Sequence, residues 1–111
     1  MNINKFDEFL DYIIKERVSK VLRSKSDEYA RGTDKLHNFH RAGRIRGVSA
    51  YEALNGMHVK HICSLYDMLE DLECNKFHPK SLWEEKFTDT INYYILLWAL
   101  LEDSNYGRGD I

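Results

Sequence analysis

Covalent and membrane restraints are nearly absent from this chain. Its two cysteines, Cys63 and Cys74, fall within one expected helix, where a rise of about 1.5 Å per residue sets them about 16 Å apart, too far for a disulfide. Two unbridged thiols read as a reduced, cytoplasmic protein. The longest apolar run, Tyr93 to Leu101, is nine residues, against the roughly twenty that a bilayer helix needs. A membrane span is excluded on that ground, and Met1-Asn2-Ile3-Asn4 leads into amphipathic charge rather than the apolar core of a secretory leader. Charge of one sign is lacking too. A net charge of −2 over 111 residues offers no global case for nucleic acid. There is one proline, no repeat of fixed period, no low-complexity tract and no strand-like alternation. What remains is a single all-α domain over 1–111, large enough for one modest core and not for two.

Four segments carry apolar residues at helical spacing. In the first, Asn4 is placed as a cap, Asp7 and Glu8 occupy the opening turn, and Phe6, Phe9, Leu10, Ile13, Ile14, Val18, Val21 and Leu22 follow three and four apart. This predicts a helix over 4–23. The next ten residues, Ser24 to Thr33, break the pattern with Lys25, Asp27, Glu28, Tyr29 and Arg31 and include Gly32, which predicts a polar loop, either plain surface or in contact with a ligand. A shorter helix over 34–45 turns Leu36, Phe39 and Ala42 inward and stops at Gly43 or Gly47. Ser49 with Glu52 is a capping box opening a helix over 49–73, and Ser81 with Glu84 is a second one opening the last helix over 81–103. The seven residues Cys74 to Lys80 between these two long helices imply an antiparallel hairpin at the centre of a four-helix antiparallel bundle. From about 104 a Gly-containing flexible tail is expected, in which Arg108-Gly109-Asp110 is a chance tripeptide.

The last helix is the stretch around which the rest is organised. At 100° per residue, Phe87, Ile91, Tyr94, Trp98 and Leu101 share one side, while Glu85, Asp89 and Asn92 line the opposite one. Because Leu96, Leu97, Ala99 and Leu100 fill the remaining directions, the helix should be covered nearly all round. Its polar stripe then has two readings, an ordinary solvated face of surface charges, or a face turned to a neighbouring helix or cleft as a candidate cation or phosphate site. On the preceding helix Lys60, Ser64, Asp67 and Asp71 form a mixed polar strip that the hairpin would turn toward it. Charge is also segregated: Lys20 to Arg46 holds eight Lys/Arg against three Asp/Glu, and Asp67 to Asp89 holds three Lys against seven Asp/Glu. Such segments either attract each other or pair a metal-holding wall with a phosphate-holding one. His37 and His40, like His58 and His61, are three apart. A four-histidine zinc site is one reading of them, and core or near-site histidines on an apolar face is the other.

These residues resemble a family. Lys60, Ser64, Asp67 and Asp71, followed by Glu85-x-x-x-Asp89-x-x-Asn92-Tyr93, look like the MazG-like all-α nucleoside triphosphate pyrophosphohydrolases, and more closely the small phage-associated type. Lys25-x-x-Glu28-Tyr29 and Leu36-His37-Asn38-Phe39 extend the likeness, which covers about Lys25 to Glu102. The resemblance implies a MazG-like bundle, usually a homodimer or homotetramer, in the cytoplasm of a phage's host. It implies Mg²⁺ held by Asp67, Asp71, Glu85 and Asp89, with Lys60, His61 and Asn92 around the phosphates and Lys25, Tyr29 and Asn38 closing the nucleotide side. Water would then cleave a nucleoside triphosphate or modified nucleotide to monophosphate and pyrophosphate, since Mg²⁺ is a hard, oxygen-seeking ion that neutralises phosphate and acidifies bound water. Which residue is catalytic is left open. Two alternatives stand beside this: a protein of the same fold that sequesters or senses a nucleotide without turnover, and a helical nucleic-acid accessory module using Lys20 to Arg46.

Overall fold

No glycine or proline occurs between Ile3 and Tyr29, so nothing in the backbone obliges the first helix to stop where its apolar periodicity fades. In a computed structural model, which describes residues 1–104 and so leaves the expected tail with Arg108-Gly109-Asp110 outside the described residues, it does not stop. Helix α1 (Ile3–Tyr12) runs through a π-helical stretch (Ile13–Ser19) into α2 (Lys20–Tyr29). The expected loop over 24–33 is therefore half helix, because Leu22, Lys25 and Tyr29, at i, i+3 and i+7, all turn toward the rest of the chain. The cap is Asn2, not Asn4; its Oδ1 accepts from the backbone N–H of Lys5 at 2.8 Å. The wider π turns rotate the apolar stripe of α1 relative to that of α2. Residues 1–12 are all exposed, and the rod meets α5 at the end of α1, where the Tyr12 hydroxyl donates to the Glu84 carboxylate at 3.4 Å, and in the π segment, where Arg17 Nε donates to Thr88 Oγ1 at 3.3 Å.

A short turn then reverses the chain. Arg31 and Asp34 exchange both backbone hydrogen bonds, at 3.0 and 3.1 Å, around Gly32, whose φ of +61° suits a residue without Cβ. Helix α3 (His37–Arg46) begins later than expected because Asp34 Oδ1 first captures the N–H of Leu36. It ends at Gly47 in the left-handed conformation. Helix α4 (Ala50–Glu73) opens on the expected Ser49 cap, whose Oγ accepts from the N–H of Glu52 at 3.1 Å. Helix α5 (Lys80–Glu102) starts one residue early, on Pro79, so Ser81 lies inside the first turn and makes no capping bond. Proline pre-sets the φ that a helix start needs and has no N–H to lose.

The architecture is all-helical, with four rods and no strand among the described residues. Contacts of His78 with Asp71 beside the turn, and of His58 with Tyr93 and Tyr94 farther along, show that α4 and α5 run antiparallel. The core joins Leu36 and Phe39 to Leu54 of α4 and to Leu96 and Leu100 of α5, with Leu22, Met57 and Leu97 packed against it. Phe39 and Leu54 are wholly buried, contributing about 2 kcal/mol each. The expectation that α5 is covered nearly all round is not met within one chain. Phe87, Ile91, Tyr94 and Trp98 are exposed, and the covered face of α5 is Thr88, Asp89, Asn92, Leu96 and Leu100. Asp89 and Asn92 of the polar stripe do face neighbouring helices, because Leu96 and Leu100 continue their face at i+4 and i+8 from Asn92, whereas Glu85 at the start of the stripe is exposed. A single chain has partners for one side of this helix only.

Candidate functional site

Burying Asp89 on α5 costs solvation, and the fold compensates with a cation brought from α2. Lys25 Nζ lies 3.1 Å from Asp89 Oδ1, and His61 Nδ1 of α4 lies 3.7 Å from Oδ2, close enough for ionic attraction and too long for a hydrogen bond. Asn92 follows one turn later on the same face. It is 5% exposed, and neither Oδ1 nor Nδ2 of its amide has a hydrogen-bond partner. Tyr29 and Tyr93 close the remaining side. Burial, then the neighbouring Tyr29 and Asp89, push Tyr93 up to about 12, and burial raises Tyr29 as well. Both phenols therefore stay protonated and act as neutral hydrogen-bonding groups at physiological pH.

These side chains enclose a cavity of about 40 Å³ lined by Leu22, Lys25, Tyr29, His61, Asp89, Asn92, Tyr93 and Leu96. That is room for roughly three waters. Its polarity is graded. Lys25 has a side chain 42% exposed and marks the open side, while Asp89, at 10%, and Asn92, at 5%, are buried in a lining that also holds Leu22 and Leu96. Against the lining residue Tyr93, His58 of α4 is 1% exposed, stacked at 5.3 Å and edge-on to Tyr94 at 4.4 Å, with Nε2 unpartnered. Burial, and then His61, hold its pKa below the usual histidine value.

Of the ten residues expected at a site, the cavity gathers Lys25, Tyr29, His61, Asp89 and Asn92. The others lie elsewhere. Asn38 is exposed on α3 and Lys60 is exposed beside His61. Asp67 and Glu85 are exposed, and Asp71 accepts a 2.7 Å hydrogen bond from His78 Nε2, with Lys76 at 3.9 Å. Among the described residues no three His, Cys, Asp or Glu side chains are grouped to hold a metal ion, the two histidine pairs included. The cavity offers one carboxylate, already paired with Lys25. That donor set does not fit Mg²⁺, which wants several oxygens in octahedral array. Leu22, Tyr93 and Leu96 were not among the expected residues. Tyr93 and Leu96 were legible in principle, at i+4 from Asp89 and from Asn92; Leu22 and Lys25 became neighbours only through the unexpected length of α2.

Cys63 and Cys74 are both free and exposed. No described helix is long and apolar enough to cross a membrane. No protein-family model matches the chain, and no curated protein or solved structure matches it either.

Proposed function

We propose that this chain binds a nucleotide, or a phosphorylated small molecule of that class, in the cavity between α2, α4 and α5. The observation that supports this most is the Asn92 amide, buried and unpartnered in the lining of a cavity that also holds Lys25 and His61. Proteins pair nearly all their buried polar groups, so an amide without a partner facing open space is available to a ligand or to water. Lys25 supplies a charge-assisted donor for a phosphate, and His61 a second one when protonated. On this reading the protein sequesters or senses its ligand.

Turnover is the second reading, and the match Asp89-x-x-Asn92-Tyr93 favours it, since all three of those residues line the cavity. A Mg²⁺-dependent pyrophosphohydrolase would need Asp67, Asp71 and Glu85 to join Asp89, and Lys25 to leave it. A panel of nucleoside triphosphates, with and without Mg²⁺, tests both readings by thermal shift and by released pyrophosphate. Stabilisation without product selects the binding protein; pyrophosphate formed only with Mg²⁺ selects the enzyme. If neither signal appears, both readings fail. Steeply salt-dependent binding to DNA or RNA would instead favour the accessory module.

A further inference from the structure

The cavity is asymmetric in a way that orients whatever enters it. Its cationic side, Lys25 and His61, is the more open one, with side chains 42% and 26% exposed, and its floor is the buried carboxylate of Asp89 beside the neutral amide of Asn92, with Leu22 and Leu96 also in the lining. A phosphate driven to that floor would meet the carboxylate of Asp89 and the carbonyl oxygen of Asn92, with the nearest ammonium already committed to Asp89 at 3.1 Å. A neutral group that offers one donor and one acceptor side by side meets no such penalty, and it pairs both orphaned atoms of the amide at once.

We infer that Asn92 is a specificity-determining residue that reads the hydrogen-bonding edge of a nucleobase, the ligand entering base first and leaving its phosphates at Lys25 and His61. This inference rests on the nucleotide reading above. Carboxamide side chains recognise bases in this way, one N–H donated and one C=O accepting on adjacent ring positions, and a well-formed pair discriminates between bases by roughly tenfold or more. The phenols of Tyr29 and Tyr93, both held neutral, flank the ring edge without adding charge. The space of about 40 Å³ takes that edge alone; the sugar and phosphates lie outward, and Lys25 must swing from Asp89 toward the phosphates as the ligand seats.

The experiment measures dissociation constants of the four common nucleoside triphosphates, and of inorganic tripolyphosphate, for the wild type and for Asn92→Leu and Asn92→Asp. The wild type is expected to bind tripolyphosphate and to separate the four bases by at least about tenfold. Asn92→Leu should collapse that spread to within about threefold while raising the melting temperature or leaving it unchanged, because it removes an unpaired buried amide. Asn92→Asp presents two acceptors and should move the preference toward guanine, whose edge offers two adjacent donors. If Asn92→Leu does not fold, the ranking measured with Asn92→Asp decides. A wild type that binds tripolyphosphate yet does not distinguish bases overturns this inference alone, and so does a variant that keeps the wild-type ranking. Failure of both tripolyphosphate and the nucleotides to bind the wild type overturns the nucleotide reading itself.

Discussion

Lys25 and Asp89 are 64 positions apart in sequence and 3.1 Å apart in space, an ion pair that ties α2 to α5 in the lining of the cavity. Repulsion among clustered carboxylates would make Asp89→Asn neutral or stabilising. The structure reverses that sign, since Asp89 sits beside a cation and away from the other acids. Lys25 is 42% exposed and recovers part of its hydration when its partner is lost, so the cost is expected at about 1–2 kcal/mol rather than the larger values of sealed pairs. Urea unfolding of Asp89→Asn, combined with nucleotide binding, measures it. A midpoint at or above that of the wild type would mean that the pair adds nothing to the fold.

Acid should weaken the fold through His58. Its folded pKa is depressed below the ordinary 6.5, first by burial and then by His61, so the unfolded chain binds the proton more readily than the folded one. The stability is fully present above about 6.5 and declines as pH falls from there toward the folded pKa. His58→Phe, which keeps a ring between Tyr93 and Tyr94, should flatten the stability profile between pH 7 and 5. An unchanged slope would place the acid sensitivity in other groups.

Gly43 should not tolerate a side chain. A Cβ built there stands 2.8 Å from the carbonyl oxygen of Val48 and 3.1 Å from the backbone nitrogen of Ala50, inside the turn that leads from α3 into α4. Both are backbone atoms, so the turn itself must shift. Gly43→Ala is expected to cost about 1–3 kcal/mol despite alanine's better helix propensity. Gly32→Ala is strained for a different reason, its φ of +61°, and meets nothing in space. A thermal melt showing Gly43→Ala as stable as the wild type would mean that the two helices sit farther apart than this.

The exposed apolar side of the molecule predicts self-association. Phe9, Ile13, Trp83, Phe87 and Ile91 line an open groove of about 400 Å³, and α1 contributes no buried residue. A second copy is the expected cover, since an obligate dimer conceals on the order of 1,000 Å² or more per partner. Sedimentation at tens of micromolar should show a dimer or tetramer, and Phe9→Glu or Phe87→Glu should shift it toward monomer. A wild-type monomer at that concentration would sink the prediction.

Helix content, the Ser49 cap, the stop at Gly47 and the antiparallel α4–α5 pair were all legible in the sequence, because each depends on neighbours within a turn or a short loop. The polar stripe of Asp89 and Asn92 could also be read as facing other helices, since the surrounding apolar residues left it nowhere drier to go. Tertiary structure alone decided which side of α5 is covered. Phe87, Ile91 and Trp98 are as apolar as Leu96 and Leu100, so periodicity on one helix cannot rank two apolar sides that differ only in what packs against them. The same holds for the site. Residue types proposed Lys25, Tyr29, His61, Asp89 and Asn92, but the unbroken run from α1 into α2 is what carries Lys25 to Asp89 and leaves Asp67, Asp71 and Glu85 apart. Nothing local marks a polar helical turn such as Ser24–Tyr29 as helix; its conformation follows from the partners that Leu22, Lys25 and Tyr29 find across the fold.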